Sequence, residues 1–256
     1  MLVKIFFFLF FLQSCYSPPG PALSSPVSTS PLNANSYVVA IDIGHTMNHP
    51  GVIGARGVPE FLFNQNLAMM LKKELDKQGF TQSFIINPKG NDIALKDRTK
   101  IARDNNADIF LSIHHDSVQP KYLSKWVVQG DTTLYSDEFQ GYSLFYSEKS
   151  AMPKRSLQLA QNLGAVFREN GFTPTLHHAE PIKGENRELV DKQKGIYRFD
   201  DLVVLKTSSM PAVLIESGVL INRDEELLLS NPVYQRMLVL SMVKAVSNFC
   251  KGNESR

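Results

Sequence analysis

Cysteine is scarce in this chain: its 256 residues include two, Cys15 and Cys250. One pair of cysteines cannot form the network of disulfides that holds small secreted domains together. It also cannot supply the several thiolates of a cysteine-rich metal site, so any metal ligands are expected to be nitrogen or oxygen atoms. A bridge between the two cysteines would leave Cys15 unavailable for modification.

An excess of charge of one sign is also missing. The chain has 27 basic and 25 acidic residues, which gives a formal net charge of +2. Nucleic-acid binding usually requires a clustered basic surface and leaves a stronger bias than this. We therefore predict no nucleic-acid partner.

Long hydrophobic runs are absent after the first dozen residues. Lys4 precedes an apolar run over residues 5–12, which is the pattern of a secretory signal. This run is much shorter than the roughly 20 apolar residues that cross a bilayer as a helix, and no later segment is long enough. We expect an exported protein whose mature part is soluble and has no permanent membrane span.

The segment after this run has features of a processing site and a tether. The sequence Leu-Gln-Ser-Cys15 resembles a bacterial lipoprotein cleavage box, in which the cysteine carries the lipid anchor. Ordinary signal cleavage within residues 17–30 is the alternative. Residues 16–36 are rich in proline and serine, as tethers are. The predicted organisation is a signal over residues 1–15, this tether, and one folded domain over residues 37–252.

Within the folded domain, apolar runs typical of buried strands alternate with helical periodicity. The sequence predicts strands over residues 37–43, 83–86, 107–113, 132–135, 202–206 and 212–215, and helices over 62–78, 94–105, 155–170 and 232–249. This alternation predicts an α/β fold, a single three-layer domain whose mostly parallel or mixed central sheet has helices on both faces. Two polar, poorly periodic stretches, 119–156 and 173–201, are predicted to be loops around a site.

Three side chains that can bind a metal come at the ends of predicted elements. His45 and His114 directly follow strands, and Glu60 stands where the first helix begins. Because ligands of α/β sheets bind outside the carboxyl ends of the strands, these side chains can converge at one sheet edge. A zinc site that activates water needs three such ligands and one open position. Taken singly, each is more often a capping or surface residue.

Several motifs resemble those of the zinc-dependent N-acetylmuramoyl-L-alanine amidase family, in the family's order. The first is Asp-Ile-Gly-His45, followed by Gly51, Gly54 and Gly-Val-Pro-Glu60. Next come Asn-Leu-Ala68, Arg98 and the run Ala-Asp-Ile-Phe-Leu-Ser-Ile-His114. The last is Pro-Ala-Val-Leu-Ile-Glu216-Ser-Gly, with Asn222 after it. The resemblance covers about residues 38–249.

The resemblance implies an enzyme that hydrolyses the amide bond between N-acetylmuramic acid and L-alanine of the peptidoglycan stem peptide. It implies one zinc ion held by His45, Glu60 and His114. Glu216 is then the catalytic residue, which takes a proton from water and passes it to the leaving amine. Peptidoglycan is the implied partner, the bacterial periplasm or cell envelope is the implied location, and a monomer is the default state.

The sequence also departs from the family pattern. His115 and Asp116 stand where the family usually has a small residue and asparagine, and residues 46–49 replace a glycine-rich stretch. Substrate contacts are therefore expected to differ. Arg98 and His115 are candidate substrate-contacting or supporting residues. Arg98 could instead pair with an acidic side chain or lie on the surface.

A second polar cluster lies in the stretch 173–201 and contains His177, His178, Glu180 and Glu185. It is a candidate for metal binding, for steering substrate or for covering the site, and a solvated loop is the simplest alternative. Some members of the family carry an insertion here that keeps the enzyme inactive until an activator protein removes it. The resemblance therefore extends to a candidate lid and a candidate activator, with a fixed wall of the cleft as the alternative.

Two other functions remain open on the sequence alone. One is a different zinc peptidase that cleaves bonds within cell-wall peptides, because pocket shape rather than metal chemistry selects the substrate. The other is a wall-binding lipoprotein that has the fold but no activity. The joint presence of His45, Glu60, His114 and Glu216 counts against this second alternative. For Glu216, a buried carboxylate paired with arginine or lysine is the purely structural alternative.

Overall fold

The central element of the fold is a mixed β-sheet, seen in a computed structural model that describes residues 32–254. In this part of the chain the strands are β1 Val39–Ile43, β2 Phe84–Ile86, β3 Ile109–Asp116, β4 Ser124–Val128, β5 Asp131–Tyr135, β6 Ser143–Tyr146, β7 Glu188–Asp191, β8 Ile196–Arg198 and β9 Ala212–Val219. Seven of these form one sheet in the order β2-β1-β3-β9-β6-β8-β7, and β4 and β5 form a separate hairpin.

The direction of the strands brings the predicted site residues to one edge. Strands β2, β1, β3 and β9 are parallel neighbours, whereas β6 runs antiparallel to β9. The register pairs His114 of β3 with Glu216 of β9. The carboxyl ends of β1, β3 and β9 therefore meet at the same sheet edge, which is where α/β folds bind their ligands.

Helices cover both faces of the sheet. Their bounds are α1 Glu60–Lys77, α2 Leu95–Asp104, α3 Pro153–Glu169, α4 Val203–Lys206, α5 Arg223–Ser230 and α6 Pro232–Glu254. Side chains of α1, α3 and α6 pack with Ile41, Leu111 and Val213 on one face. Side chains of α2 and α4 pack with Phe110 and Leu214 on the other. The predicted three-layer α/β domain is confirmed.

Alternation along β3 decides which residues face the site. Ile109, Leu111 and Ile113 point to the face that α1 covers, so Ser112 and His114 point to the face that α2 covers. Burying each large apolar side chain of the first set contributes ~1.5–3 kcal/mol, which fixes the register of the strand. The packing of the core thereby aims His114 at the site.

Two predictions about local structure were wrong. Residues 202–206 do not form a strand, since Val203–Lys206 is the short helix α4, whose buried Val204 and Leu205 pack in the smaller core. A run of four or five apolar residues has no periodicity that separates the two states. The stretches 119–156 and 173–201 are not only loops, because they contain β4, β6, β7, β8 and the start of α3.

The C-terminal part agrees with its sequence signals. The Asn222 side chain accepts hydrogen bonds from the backbone of Asp224 and Glu225 and so caps α5. Within residues 32–254, no helix combines the length and the apolar character needed to cross a membrane. The signal, the lipid-anchor site at Cys15 and most of the tether, residues 1–31, lie outside the described residues.

Candidate metal centre and active site

His45, Glu60 and His114 lie together at the edge of the sheet. His45 follows β1, Glu60 is the first residue of α1 and His114 belongs to β3. His45 Nε2 is 2.9 Å from Glu60 Oε2, and His114 Nδ1 is 3.1 Å from Glu60 Oε1. One candidate ligand atom from each residue lies within 4.8 Å of the others. The three residues that the sequence singled out therefore form a cluster that can hold a metal ion.

Two glycines allow the side chains of this cluster to lie so close to the backbone. A Cβ atom on Gly44 would lie 2.5 Å from the His114 ring. Gly51 has a φ of +78°, and a Cβ there would lie 2.2 Å from the Glu60 carboxylate. Real Cβ atoms do not approach other atoms so closely, so any larger residue would displace a side chain of the cluster. Gly51 also has a left-handed backbone that glycine adopts at little cost.

The two histidines hold the Glu60 carboxylate in its charged form. Burial by itself raises the pKa of Glu60, but hydrogen bonds from His114 and His45 and their positive field lower it well below its usual range. The backbone N–H groups of Val52 and His115 also donate to this carboxylate, at 3.2 Å each. Glu60 is thus an anionic oxygen donor at neutral pH.

His115 supports the cluster through Asn64. Asn64 Nδ2 donates to Glu60 Oε1 at 3.0 Å and to the Gly44 carbonyl at 3.2 Å. The Asn64 Oδ1 atom lies 2.7 Å from His115 Nδ1. Burial lowers the pKa of His115 to about 4, so this ring is neutral and donates its Nδ1 proton to Asn64. The buried His115 therefore lies behind the cluster.

Arg98 is buried and joins α2 to β1. Its Nη1 donates to Asp42 Oδ1 at 2.7 Å and also to the Ile43 carbonyl. Its Nη2 donates to the His45 carbonyl at 2.7 Å. His45 has a φ of +70°, a strained conformation for a residue other than glycine. Of the roles open for Arg98, the structure shows a partner for an acidic side chain, and the same contact holds the backbone of His45.

Glu216 lies beside the cluster, and one of its carboxyl oxygens has no partner within residues 32–254. Its Oε2 atom is buried and makes no hydrogen bond among the described residues. Burial and the charges of Asp116 and Glu60 raise the pKa of this carboxyl well above its ordinary value. Among the described residues, no arginine or lysine forms an ion pair with Glu216. A purely structural role for Glu216 was expected to involve such a pair.

One cleft of about 350 Å³ joins these residues to the stretch 173–201. Its wall includes His45, His114 and Glu216 at one side. On the other side it includes His178 and Glu185 from the second polar cluster. Two of the four residues of this cluster therefore line the cleft. Glu180 instead accepts a hydrogen bond from the hydroxyl of Tyr122 at 2.6 Å and does not line the cleft.

Two residues of the site, Asn64 and Asp42, had no role predicted from the sequence. Asn64 follows Glu60 by four residues, so both lie on one face of α1. That spacing was a usable signal. Asp42 is a charged residue inside an otherwise apolar strand, which predicts a buried partner but does not identify Arg98 as that partner.

The fold and the site define a class of protein. Two histidines and one glutamate at the carboxyl edge of an α/β sheet, next to an unpaired carboxyl in a cleft, are typical of hydrolases that activate water on a metal ion.

Comparison with known proteins identifies the family. The profile of the N-acetylmuramoyl-L-alanine amidase family matches residues 39–248. The chain is 27% identical to N-acetylmuramoyl-L-alanine amidase AmiA of Escherichia coli, with 83% of this chain and 75% of that protein covered. It is 26% identical to the probable N-acetylmuramoyl-L-alanine amidase AmiB of Haemophilus influenzae, with 98% of this chain covered and 58% of the relative spanned.

Solved structures of amidases have the same fold as this chain. The N-acetylmuramoyl-L-alanine amidase from Clostridium difficile 630 superposes with a TM-score of 0.64 at 26% identity, covering 83% of this chain and 96% of that one. For AmiC2 of Nostoc punctiforme the TM-score is 0.62 at 22% identity, with 83% of this chain and 96% of that one covered, which supports the fold. The chain belongs to the N-acetylmuramoyl-L-alanine amidase family, and it is an amidase.

Proposed function

We propose that this chain is a zinc-dependent enzyme that hydrolyses the amide bond between N-acetylmuramic acid and L-alanine in peptidoglycan. The observation that supports this proposal most directly is the unpaired carboxyl of Glu216 in the same cleft as His45, Glu60 and His114. The names of the relatives, which are N-acetylmuramoyl-L-alanine amidases, supply the bond that is cut.

The donor set fits a zinc ion. Two imidazole nitrogens and one carboxylate oxygen are the ligands of catalytic zinc in other hydrolases, and they leave one position open. In this chain Glu60 supplies the anionic oxygen, because its pKa is held low. One zinc ion bound there would act as a Lewis acid toward water and toward the amide carbonyl.

Glu216 is the proposed proton carrier. Burial and the nearby carboxylates raise its pKa, so this carboxyl holds a proton more readily than an ordinary glutamate does, as a residue that takes up a proton from water must. In the proposed reaction the Oε2 atom takes a proton from the attacking water and then donates it to the amine of the leaving L-alanine. Because Oε2 has no other partner among the described residues, no hydrogen bond has to break before it takes the proton.

The remaining residues of the site hold these groups in place. Asn64 and the N–H of His115 orient the Glu60 carboxylate. Arg98 holds the carbonyl of His45. None of the three residues lines the 350 Å³ cleft, but Arg98 lines a neighbouring cavity of about 370 Å³ that also includes the two histidines proposed to bind zinc. We propose that Arg98 and His115 support the site through these hydrogen bonds.

The stretch 173–201 is proposed to be a wall of the substrate cleft. His178 and Glu185 contribute side chains to the cleft, whereas β7 and β8 of the same stretch belong to the central sheet. Removing the whole stretch would therefore remove two strands of the sheet. Any activator would have to displace the part before β7, and a requirement for one stays a prediction.

Location and anchoring follow from the substrate. Peptidoglycan lies outside the cytoplasmic membrane, so we propose an exported enzyme of the bacterial cell envelope. The run Leu-Gln-Ser-Cys15 carries the prediction of a lipid anchor. Mass spectrometry of the N-terminal peptide tests it, because a lipidated Cys15 and a plain cleaved terminus differ in mass. A monomer stays the expected state.

The function is tested by digesting purified peptidoglycan with the full chain and with Glu216→Gln. We expect the wild type to release intact stem peptides that begin with L-alanine. The variant should bind the same amount of zinc and be slower by roughly 10²- to 10⁴-fold, which is the usual contribution of a proton-transfer residue. Glu169→Gln, which changes an exposed carboxylate at the end of α3, is the matched control and should keep full activity.

The products separate the competing functions. A zinc peptidase would leave L-alanine on the sugar and release shorter peptides, and this mass pattern would refute the amidase proposal. If the chain is a wall-binding protein without activity, the wild type would sediment with peptidoglycan but would release no peptide. Full activity of Glu216→Gln would refute the proton-transfer role of Glu216 but not the amidase function.

A further inference from the structure

A second group of candidate metal ligands lies at the cleft, and two of its three members line it. Asp116, His177 and His178 each offer one ligand atom, and these atoms lie within 4.8 Å of one another. His178 Nε2 is 2.7 Å and His177 Nε2 is 3.5 Å from the same oxygen, Asp116 Oδ2. All three residues are buried. Two imidazole nitrogens thus converge on one carboxylate oxygen, separately from the first cluster.

The other nitrogen of each ring is held by an outer partner. His178 Nδ1 lies 2.9 Å from Glu185 Oε2, and His177 Nδ1 lies 2.8 Å from Thr175 Oγ1. Metal-binding histidines have this arrangement, because the outer hydrogen bond fixes the ring and directs the free nitrogen at the metal. Both Nε2 atoms face Asp116, although His177 Nε2 also lies 3.2 Å from the Ser117 carbonyl, a contact that a bound ion would replace.

The outer partners are themselves fixed. Gln119 Nε2 donates to Glu185 Oε1 at 2.7 Å. The hydroxyl of Tyr197 donates to the Thr175 carbonyl at 2.9 Å. The Asp116 Oδ1 atom accepts the N–H of Ser117 at 2.7 Å, which leaves Oδ2 for the histidines. Such support is what keeps metal ligands in place before the metal binds.

The charge of this region also suits a bound cation. Asp116 and Glu185 are 7% and 9% exposed. Their ion pairs among the described residues are with histidines, and no lysine or arginine nitrogen lies within the 4.0 Å of an ion pair. Buried carboxylates are costly unless they are paired. A divalent ion between Asp116 and the two histidines would compensate both charges.

We propose that Asp116, His177 and His178 bind a second divalent transition-metal ion, in addition to the ion proposed for His45, Glu60 and His114. Imidazole nitrogen and carboxylate oxygen form a donor set that suits zinc. Asp116 belongs to β3 and the two histidines to the stretch 173–201, so this ion ties the cleft wall to the sheet. Asp116 and His178 line the cleft, which leaves the open position accessible to an oxygen atom of a ligand.

Metal stoichiometry tests this proposal independently of the enzymatic reaction. The full chain is stripped with a chelator, titrated with Zn²⁺ alone, and its bound zinc is measured by mass spectrometry after equilibrium dialysis. We expect two equivalents in the wild type and one in His178→Gln. His45→Gln should also bind one, because it changes the other site. His49→Gln is the matched control, since His49 is exposed and belongs to neither group.

Anomalous diffraction at the zinc edge from wild-type crystals soaked in Zn²⁺ decides the case even if His178→Gln does not fold. Two peaks, the second between Asp116, His177 and His178, are the expected result. A single equivalent of zinc that is lost in His45→Gln and kept in His178→Gln would overturn the proposal and leave a protonated His178 between two carboxylates. Two equivalents retained by a folded His178→Gln, or a second peak elsewhere, would overturn it as well. A single equivalent lost in His178→Gln and kept in His45→Gln would support this site and refute the proposed ion at His45, Glu60 and His114.

Discussion

Asn64 shows how a residue outside the cluster can govern it. Its amide donates to the Glu60 carboxylate and to the Gly44 carbonyl, and its oxygen faces the neutral ring of His115. One amide side chain thus fixes the proposed ligand Glu60 and the turn before His45.

Replacing Asn64 is expected to weaken metal binding without abolishing it. Asn64→Ala removes the hydrogen bond to Glu60 Oε1, and loss of such a supporting contact typically costs about 10- to 100-fold in metal affinity. The measurement is a zinc titration of the His45, Glu60 and His114 site against a chromophoric chelator.

The matched control is Asn66→Ala, an exposed position on the same helix. It should leave the zinc affinity unchanged. Equal affinities for Asn64→Ala and the wild type would show that the carboxylate does not depend on Asn64.

At the scale of secondary structure elements, the ion pair between Arg98 and Asp42 joins α2 to β1. The two side chains are 2% and 1% exposed. Ser112 of β3 donates to the second oxygen of Asp42 at 2.8 Å. Three elements therefore meet at one buried carboxylate, three residues before His45 in the chain.

Removing the arginine is expected to destabilise the domain strongly. Arg98→Met keeps much of the side-chain volume but leaves the Asp42 charge buried without its partner, which typically costs about 3–5 kcal/mol. The free energy of unfolding in urea measures the loss. It should also loosen the backbone of His45, so that zinc affinity falls with stability.

Arg103→Met, at an exposed position near the end of the same helix, is the control and should change stability by less than about 0.5 kcal/mol. A stability loss of the same size in both variants would contradict the role given to the buried ion pair.

At the scale of the whole molecule, Glu225 ties together distant parts of the chain. Its carboxyl accepts the N–H of Gly141, which precedes β6, and the N–H of Val219, which ends β9. Burial raises the pKa of Glu225 from 4.5 to about 7. The folded protein therefore holds a proton there that the unfolded chain releases at lower pH.

This residue should make stability fall as pH rises. Between pH 4.5 and 7 the unfolded state binds fewer protons than the folded state, so the free energy of unfolding decreases with pH. At about 1.4 kcal/mol per pKa unit the contribution of Glu225 is about 3 kcal/mol. Other groups also titrate between pH 4 and pH 8, so the measurement is the difference between two proteins. The change in the free energy of unfolding from pH 4 to pH 8 should be more negative in the wild type than in Glu225→Gln by about 3 kcal/mol.

Asp224→Asn is the control, because it tests whether any acidic residue at the start of α5 affects the pH dependence of stability. Asp224 is exposed, so this variant should keep the pH dependence of the wild type. If Glu225→Gln has the same pH dependence as the wild type, Glu225 is not the residue responsible.

The sequence alone determined the fold class and the candidate residues. Unbroken apolar runs before His45 and His114 and the helical spacing after Glu60 depend on local patterns, and local patterns are visible in a sequence. They predicted parallel strands whose carboxyl ends meet, and with them a candidate metal site. The cap at Asn222 was predictable for the same reason, because capping depends on residues within one turn.

Only the tertiary structure decided what these residues contact. Strands β6, β7 and β8 have three or four residues each, too few to show a period, and they exist because the sheet pairs with them. The partners Arg98 and Asp42 are 56 residues apart, and His178 and Asp116 are 62 apart. Which buried charge meets which depends on the order of the strands, and no local pattern in the sequence encodes that order.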